Sequence, residues 1–291
     1  MTRQSTGVYD VTFSSLPGWG NNGLSSAVAV TPYGSSTISC SLASYASSAT
    51  TAVATVACYN VVTRVPADSR FTVLVVGNRS VPAPSAFVFT GGSARVPPPN
   101  PAWNWTSGSH RISVAHAGGI GVYNVLLGSG NNPKTAKLVT GAGGGTRCND
   151  GQSISGGLQV RCYDTSGAPA DQRFWVIQVG GGLPGRRIGL ALANQPAAAA
   201  YTPSATSSFN SSGGAISASR SGPGRYAMTF AGLQKLARHT ETVQVTAVGT
   251  VLRTCNVLSW GNFGSALRVS VECRNAAGQL ADTRYQLLMI E

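Results

Sequence analysis

Apolar and polar residues alternate with a period of two along most of this chain. Residues 8–13 read VYDVTF and residues 243–247 read VQVTA, so every second side chain is apolar. Glycine, proline, asparagine and serine interrupt these runs at intervals of about 8–12 residues, which is typical of half-buried antiparallel strands. The best helical candidate, residues 231–241 (AGLQKLARHTE), is predicted to form at most one turn. The pattern therefore predicts an all-β protein.

The alternating runs occur in three copies of one unit. The sequence PADSRFTVLVV at 66–76 returns as PADQRFWVIQV at 169–179 and as LADTRYQLLMI at 280–290. Upstream anchors recur in the same order, first a tyrosine (Tyr9, Tyr123, Tyr226), then a threonine (Thr31, Thr140, Thr246). Equivalent anchors lie 103 to 114 residues apart. A fixed order of anchors at a nearly constant period indicates an internal threefold repeat.

The repeat divides the chain into three predicted β modules, each a sandwich or small barrel of about seven strands. Module 1 covers residues 1–76, module 2 with its connector strands covers 77–179, and module 3 with its connector strands covers 180–291. The modules are expected to follow one another in tandem. Repetition also permits one closed pseudo-threefold structure such as a propeller.

Module 1 is predicted to lack its first two strands, because its first alternating run begins at residue 7. The strand at 8–13 would then expose unpaired backbone groups along one edge, which proteins rarely leave bare. We expect a connector strand from residues 77–119 to cover it. The alternative is a strand from a neighbouring molecule, which would make the protein a self-assembling fibre subunit.

Six cysteines fall into three pairs, one pair in each repeat: Cys40 and Cys58, Cys148 and Cys162, and Cys255 and Cys273. Each pair occupies the same two strands of its unit, and no Cys-x-x-Cys or Cys/His cluster suggests zinc. The sequence thus predicts three disulfides within the repeats and an oxidising compartment. Residues 1–10 hold no apolar signal core, so we expect a mature region, and no apolar run approaches the ~20 residues of a membrane span.

The combined pattern runs G-x-Y-x-V-x-F, then V-x-V-T-A-x-G, a cysteine, V-x-V-x-C, and finally G-x-x-A-D-x-R-F. It resembles the β-rich repeats of secreted bacterial proteins that have no assigned activity. The resemblance covers nearly the whole chain and includes no catalytic motif. It implies export to the cell surface or medium and a modular architecture.

The net charge of +12 raises the possibility of a nucleic-acid partner. The cations are scattered, however, and the densest group is the pair Arg186-Arg187. Proteins that bind phosphate backbones concentrate their cations in a patch or along one helix. The charge pattern therefore favours a soluble cationic surface over nucleic-acid binding.

The repeated Asp-x-Arg places an acid and a base on the same side of a strand in each module. The residues are Asp68 and Arg70, Asp171 and Arg173, and Asp282 and Arg284. Carboxylate catalysis needs a second carboxylate or a base nearby, and no module offers one at a constant position. We interpret these residues as structural, with the aspartate capping backbone groups of the turn.

Binding residues are expected in loops that depart from the repeat. Three segments combine tryptophan, asparagine and glycine, namely 17–23, 100–111 and 259–264, and a fourth, 128–133, is rich in asparagine and glycine. Aromatic rings can stack on sugar C–H faces while amides bond the hydroxyls. The candidate ligand-binding residues are Trp19, Asn21, Asn22, Trp103, Trp105, Asn131, Asn132, Trp260 and Asn262. Asn-Gly pairs are equally typical of turns.

Catalytic and cofactor motifs are missing from the sequence, which shows no nucleophile elbow, zinc-protease helix or nucleotide fingerprint. His110, His116 and His239 do not repeat, although His110 or His116 could converge with Asp150 or Asp164. We therefore predict no catalytic residues, metal or cofactor. The expected function is extracellular binding or adhesion to a glycan or cell-surface polymer, with self-association as the alternative and a hydrolase less favoured.

Overall fold

The computed structural model describes residues 1–14, 26–48, 50–77, 85–90, 99–108, 111–128, 134–182, 185–236 and 241–291. The described residues form strands and turns, and no helix among them is long and apolar enough to cross a membrane. The predicted all-β fold built from three β modules is confirmed.

Twenty-three strands are described in chain order. Module 1 holds β1 (Thr2–Ser5), β2 (Val8–Ser14), β3 (Ser26–Tyr33), β4 (Ile38–Ser47), β5 (Thr51–Asn60) and β6 (Arg70–Gly77). The second repeat holds β7 (Ala86–Thr90), β8 (Pro99–Thr106), β9 (Ser113–His116), β10 (Val122–Leu126), β11 (Thr135–Ala142), β12 (Arg147–Ile154), β13 (Gly157–Tyr163) and β14 (Arg173–Gly180). The third holds β15 (Ile188–Ala193), β16 (Ala200–Tyr201), β17 (Ser208–Asn210), β18 (Ile216–Gly222), β19 (Arg225–Ala231), β20 (Thr242–Val248), β21 (Arg253–Phe263), β22 (Ala266–Asn275) and β23 (Arg284–Ile290).

The strands form three sheets, and each sheet takes strands from two repeats. The orders are β1-β2-β5-β4-β11-β14-β7-β8, then β17-β15-β23-β20-β12-β13-β10-β9, and finally β16-β18-β19-β22-β21-β3-β6. The first sheet joins repeat 1 to repeat 2, the second joins repeat 2 to repeat 3, and the third joins repeat 3 back to repeat 1. The modules therefore close into a pseudo-threefold ring, which combines the two arrangements that the sequence left open.

Each junction between repeats is a short parallel pairing. Ala142 pairs with Leu42, Val248 with Asp150, and Tyr33 with Val257. In all three, the N–H of the glycine that follows donates to the partner carbonyl at 2.8 Å, from Gly143, Gly249 and Gly34. The same bond at three equivalent positions shows that the three copies share one mode of association.

Three buried threonines join the repeats where β3, β11 and β20 meet. Thr31 Oγ1 accepts a hydrogen bond from the Val245 N–H at 3.0 Å. Thr140 Oγ1 accepts one from the Val30 N–H at 3.2 Å, and Thr246 Oγ1 accepts one from the Val139 N–H at 3.0 Å. The repeated threonine anchors of the sequence thus satisfy backbone donors of a neighbouring repeat, which buried N–H groups require.

Within each repeat, the two strands that carry the cysteines and the strand that carries the tyrosine pack on a pair of antiparallel strands. That pair consists of the strand with the repeated threonine and the strand that follows Asp-x-Arg. The three predicted disulfides are present, and each links residues directly opposite each other on adjacent strands: Cys40–Cys58, Cys148–Cys162 and Cys255–Cys273. Repeats 2 and 3 each enclose an apolar core of their own, and the core of repeat 1 continues into the centre of the ring.

The edge of β2 is covered inside the chain, but by a different segment from the one predicted. β1 (Thr2–Ser5) pairs antiparallel with β2, so module 1 has one leading strand where the sequence analysis expected none. The connector strands β7 and β8 instead extend the sheet on the side of β14. β1 occupies the place that β9 and β18 occupy in the other repeats, beside β10 and β19.

Each repeated aspartate bonds a glycine N–H, a tyrosine hydroxyl and a basic side chain. We call these four groups together the clasp, and they join three segments of the chain. Asp282 Oδ1 accepts bonds from the Gly224 N–H (2.9 Å), the Tyr226 hydroxyl (3.0 Å) and the Arg220 guanidinium (2.9 Å). The Thr283 N–H donates to the same tyrosine oxygen at 2.9 Å. The cation belongs to the covering strand and is not the arginine of the Asp-x-Arg motif.

The other two clasps repeat this geometry with one change of residue. Asp68 bonds Gly7, Tyr9 and Arg3, whereas Asp171 bonds Gly121, Tyr123 and His116, the last at 3.3 Å. The glycines are required because a Cβ on Gly7, Gly121 or Gly224 would lie 2.3–2.5 Å from a cysteine carbonyl oxygen. The Gly-x-Tyr and Asp-x-Arg segments therefore recur together because both supply groups to the same clasp.

The clasps predict acid sensitivity. The hydrogen bond from Arg220 has the largest effect on the pKa of Asp282 and lowers it, although burial opposes this change. The bonds from Gly224 and Tyr226 lower the pKa further. Arg3 and Gly7 likewise lower the pKa of Asp68, and the bonds of Asp171 outweigh the burial that opposes them. Because these carboxyl groups have a lower pKa in the folded state than the unfolded value of ~3.9, their ionisation stabilises the native state above pH ~3.9. That stabilisation is lost as pH falls through the folded pKa.

We expect Asp282→Asn to lower the free energy of unfolding by about 1–3 kcal/mol at pH 7, since it weakens the bonds to Arg220 and Gly224. Urea unfolding at pH 7 and pH 3 measures this, and the difference from the unchanged protein should shrink at pH 3. Tyr226→Phe keeps the carboxylate and removes only one of the bonds that lower its pKa, so it should lose less stability than Asp282→Asn and show a weaker pH dependence. Equal stability of Asp282→Asn and the unchanged protein at pH 7 would contradict the role of the clasp.

Asp150 on β12 departs from the repeat, because Leu42 and Val257 take its place in the other junctions. Its side chain is 1% exposed, and neither carboxylate oxygen has a hydrogen-bond partner within the described parts of the chain. Burial raises the pKa of Asp150 to about 7, against the smaller opposing effects of Lys137 and Arg284. The native state therefore retains a proton that the unfolded chain releases near pH 4, so stability falls as pH rises from about 4 to 7.

We expect Asp150→Leu, the residue of repeat 1, to raise the free energy of unfolding at pH 8 by about 2–4 kcal/mol. The gain should be smaller at pH 4, where Asp150 is neutral. Asp150→Asn keeps the shape without a titrating group and serves as the control. The assignment is wrong if the unchanged protein loses no stability relative to Asp150→Asn between pH 4 and pH 8 in thermal or urea unfolding.

Candidate functional site

An aromatic groove of about 290 Å³ opens at the start of β6, where the third sheet joins repeat 3 to repeat 1. It is lined by Met1, Tyr33, Ser69, Arg70, Phe71, Thr72 and Trp260. Tyr33 ends β3, Trp260 lies on β21, residues 70–72 begin β6 after Ser69, and Met1 precedes β1. The groove therefore combines three strands that are far apart in sequence.

The rings of the groove hold one another in a fixed arrangement. Trp260 meets Tyr33 edge to face, with ring centroids 5.2 Å apart. The Arg70 guanidinium carbon lies 4.7 Å from the centre of the Tyr33 ring, and Lys235 Nζ lies 5.3 Å from that of Trp260. Such cation–π contacts orient long side chains over aromatic faces. The result is two ordered rings with a positive charge beside each.

The two cations differ in their pairing. Lys235 Nζ lies 3.4 Å from Glu241 Oε2, whereas no carboxylate within the described parts of the chain is paired with Arg70, which is exposed. The indole N–H of Trp260 is buried and has no hydrogen-bond acceptor among the residues described. A buried unpaired donor costs about 1–3 kcal/mol.

The groove exists because repeat 1 departs from the pattern of repeat 2. There, Trp175 fills the equivalent space between Tyr45 (5.8 Å) and Phe89 (4.6 Å). Trp260 takes the place of Tyr45, five residues after the first cysteine of its repeat, and Thr72 takes the place of Trp175. Replacing an indole by a threonine leaves the space open.

Trp260 and Asn262, predicted in a loop, lie within β21, and the hairpin turns only after Phe263. Asn262 Oδ1 accepts a hydrogen bond from the Lys235 N–H at 2.5 Å, so it holds the segment that carries the lysine. Trp260 is therefore a wall of the groove, while Asn262 acts one step away from it.

The other predicted contacts do not meet in this groove. Trp105 lies on β8 in the first sheet, 5.9 Å from Phe87, and the backbone of Trp103 belongs to the same strand. The remaining candidates, Trp19, Asn21, Asn22, Asn131 and Asn132, lie outside the described residues, as do His110 and His239. Those predictions stay untested.

His116 contacts neither Asp150 nor Asp164 in the bonds described. Its Nε2 lies 3.3 Å from Asp171, and its ring packs edge-on to Tyr123 at 5.6 Å. Arg3 and Arg220 hold the equivalent positions in the other clasps. The described residues contain no group of three or more histidines, cysteines and acids placed to hold a metal ion.

Sequence reasoning missed Tyr33 as a contact and classed Arg70 only as a structural residue. The signal for Tyr33 was its departure from the repeat, since Ala142 and Val248 occupy the equivalent junction positions.

A second groove of similar volume lies between repeats 2 and 3 near Ile120 and Val251. Its lining contains one aromatic ring, Tyr163, whose hydroxyl donates to the Thr250 carbonyl at 3.3 Å.

The chain matches no protein-family model, no curated protein sequence and no solved structure. The geometry of the groove therefore carries the functional argument.

Proposed function

We propose that this protein is an extracellular binding or adhesion protein that recognises glycans, and that the groove at Tyr33 and Trp260 is the contact site. Three disulfides suit an oxidising compartment such as the cell exterior. The single observation that carries the proposal is an open groove in which two aromatic rings stand beside Arg70, which has no carboxylate partner among the described residues.

The residue types fit a sugar with an acidic group. Aromatic faces stack on the C–H faces of pyranose rings, and a guanidinium pairs with a carboxylate or sulfate through two parallel bonds. The Ser69 hydroxyl donates to the Arg70 carbonyl at 2.9 Å, which fixes the backbone at the mouth of the groove. Uronic acids, sialic acids and sulfated sugars are the classes with this combination of features.

We expect Trp260→Ala to weaken glycan binding by about tenfold or more, or ~1.4 kcal/mol, because it removes one stacking surface. Phe263→Ala is the matched control, since Phe263 is 59% exposed on the same hairpin but does not line the groove. The measurement is binding to an array of neutral and acidic glycans, followed by calorimetry with the best ligand. Equal losses in the two variants, or no glycan bound by the unchanged protein, would overturn the proposal.

Arg70 distinguishes acidic from neutral ligands. Arg70→Gln should weaken binding of acidic glycans about tenfold and leave neutral glycans within twofold, because only the acidic group pairs with the guanidinium. Binding that weakens steeply with salt for every polyanion tested, duplex DNA included, would indicate non-specific charge attraction instead.

A further inference from the structure

A flanking strand completes each of the other two repeats, but no described strand lies along the outer edge of β6. β14 is flanked by β7, and β23 is flanked by β15. β6 is the equivalent strand of repeat 1, and it ends its sheet: no strand among the described residues pairs with its outer edge. An uncovered edge of eight residues presents free backbone N–H and C=O groups to a further strand.

The apolar core of repeat 1 is open along this edge. Val11, Phe13, Phe71 and Val73 are all partly exposed. Their equivalents in the other repeats are each 0% exposed: Val125, Leu127, Phe174 and Val176 in repeat 2, and Met228, Phe230, Tyr285 and Leu287 in repeat 3. The same four positions change together, so the cause is shared. β7 and β15 close the cores of their repeats through Val88 and Ala191, and no strand within the described ranges does so beside β6, which accounts for the shared change.

We propose that β6 accepts an extended strand from a partner protein, which runs antiparallel to β6 and completes the sandwich of repeat 1. The two closed repeats define the chemistry of that strand. Opposite Val176 and Leu287 stand Val88 and Ala191, and opposite Gln178 and Met289 stand Ala86 and Gly189. The residues between them, Phe87 and Leu190, turn to the other side and pack in the central core.

The incoming strand therefore alternates small residues, which face the core of repeat 1, with large apolar residues on its opposite face. This pattern also decides between a partner and a second copy of this chain. A second β6 would bring Phe71, Val73 and Val75 into positions that take glycine, alanine or valine in the closed repeats, and such overpacking is destabilising. The strands β7 and β15 of a second copy are already paired in its own sheets.

The chain supplies its own probe, a synthetic peptide with the sequence of residues 187–195, RIGLALANQ, which contains β15. We expect it to bind the full chain at one to one in calorimetry, raise the melting temperature and slow amide exchange in residues 71–77. The matched control is the same peptide with Ala191→Glu, which places a charge in the core and should bind at least tenfold more weakly. Exchange in β14 and β23, which are already flanked, should not change.

The protein variant Val73→Glu should also abolish binding of the parent peptide, with the fold checked by circular dichroism and by unchanged glycan binding. The peptide controls keep the test decisive if this variant fails to fold. Three results would overturn the proposal: equal binding of both peptides, protection that appears outside β6, or slow exchange along β6 in the free monomer. Concentration-dependent oligomers that the peptide does not dissociate would identify a second copy as the occupant and refute the partner assignment.

Discussion

The fold depends on three buried threonine hydroxyls that accept hydrogen bonds across the centre of the ring. Thr31, Thr140 and Thr246 each satisfy a backbone N–H in a neighbouring repeat, and each is at most 5% exposed. An unpaired N–H at this depth would cost about as much as a lost hydrogen bond, so all three strands must be present together. The parallel pairings at the junctions follow from this arrangement, because each places the first cysteine strand of one repeat beside the threonine strand of the next repeat. Three repeats, each bonded to the next through its threonine, therefore close the ring.

A ring of equivalent junctions makes each departure from the repeat informative. The clasps and disulfides recur with little change, which identifies them as framework, whereas Tyr33, Thr72 and the free edge of β6 belong to repeat 1 alone. Asp150 is a departure of a different kind, since its buried carboxyl, which has no hydrogen-bond partner in the described part of the chain, stands where the other junctions hold Leu42 and Val257. The described groove and the open core both border β6, so both lie where repeat 1 departs from the other repeats.

The sequence predicted the strands, the repeat and the disulfides because each depends on local periodicity or on anchors that recur at a constant interval. It did not predict the threonine bonds, which join residues 107 to 214 positions apart. Trp260 was found as an aromatic residue outside the repeat pattern, but its partner Tyr33 was not, because the two meet only after repeat 3 joins repeat 1. The position of β1 was missed because four polar residues, TRQS, carry no apolar signal for a strand.

The groove and the open core both border β6, and Phe71 contributes to both. Side chains alternate along β6, so Arg70 and Thr72 lie on one face of the strand, while Phe71 and Val73 lie on the face that packs against the core of repeat 1. In repeat 2 the two sides are linked, since Phe89 of the flanking strand stacks on Trp175, which fills the space equivalent to the groove. A strand added to β6 would place its own large residue beside Thr72, next to the space between Thr72 and Trp260. Occupancy of the edge and of the groove would then be energetically coupled, and such coupling is reciprocal: whatever the strand does to the affinity for a glycan, the glycan does to the affinity for the strand.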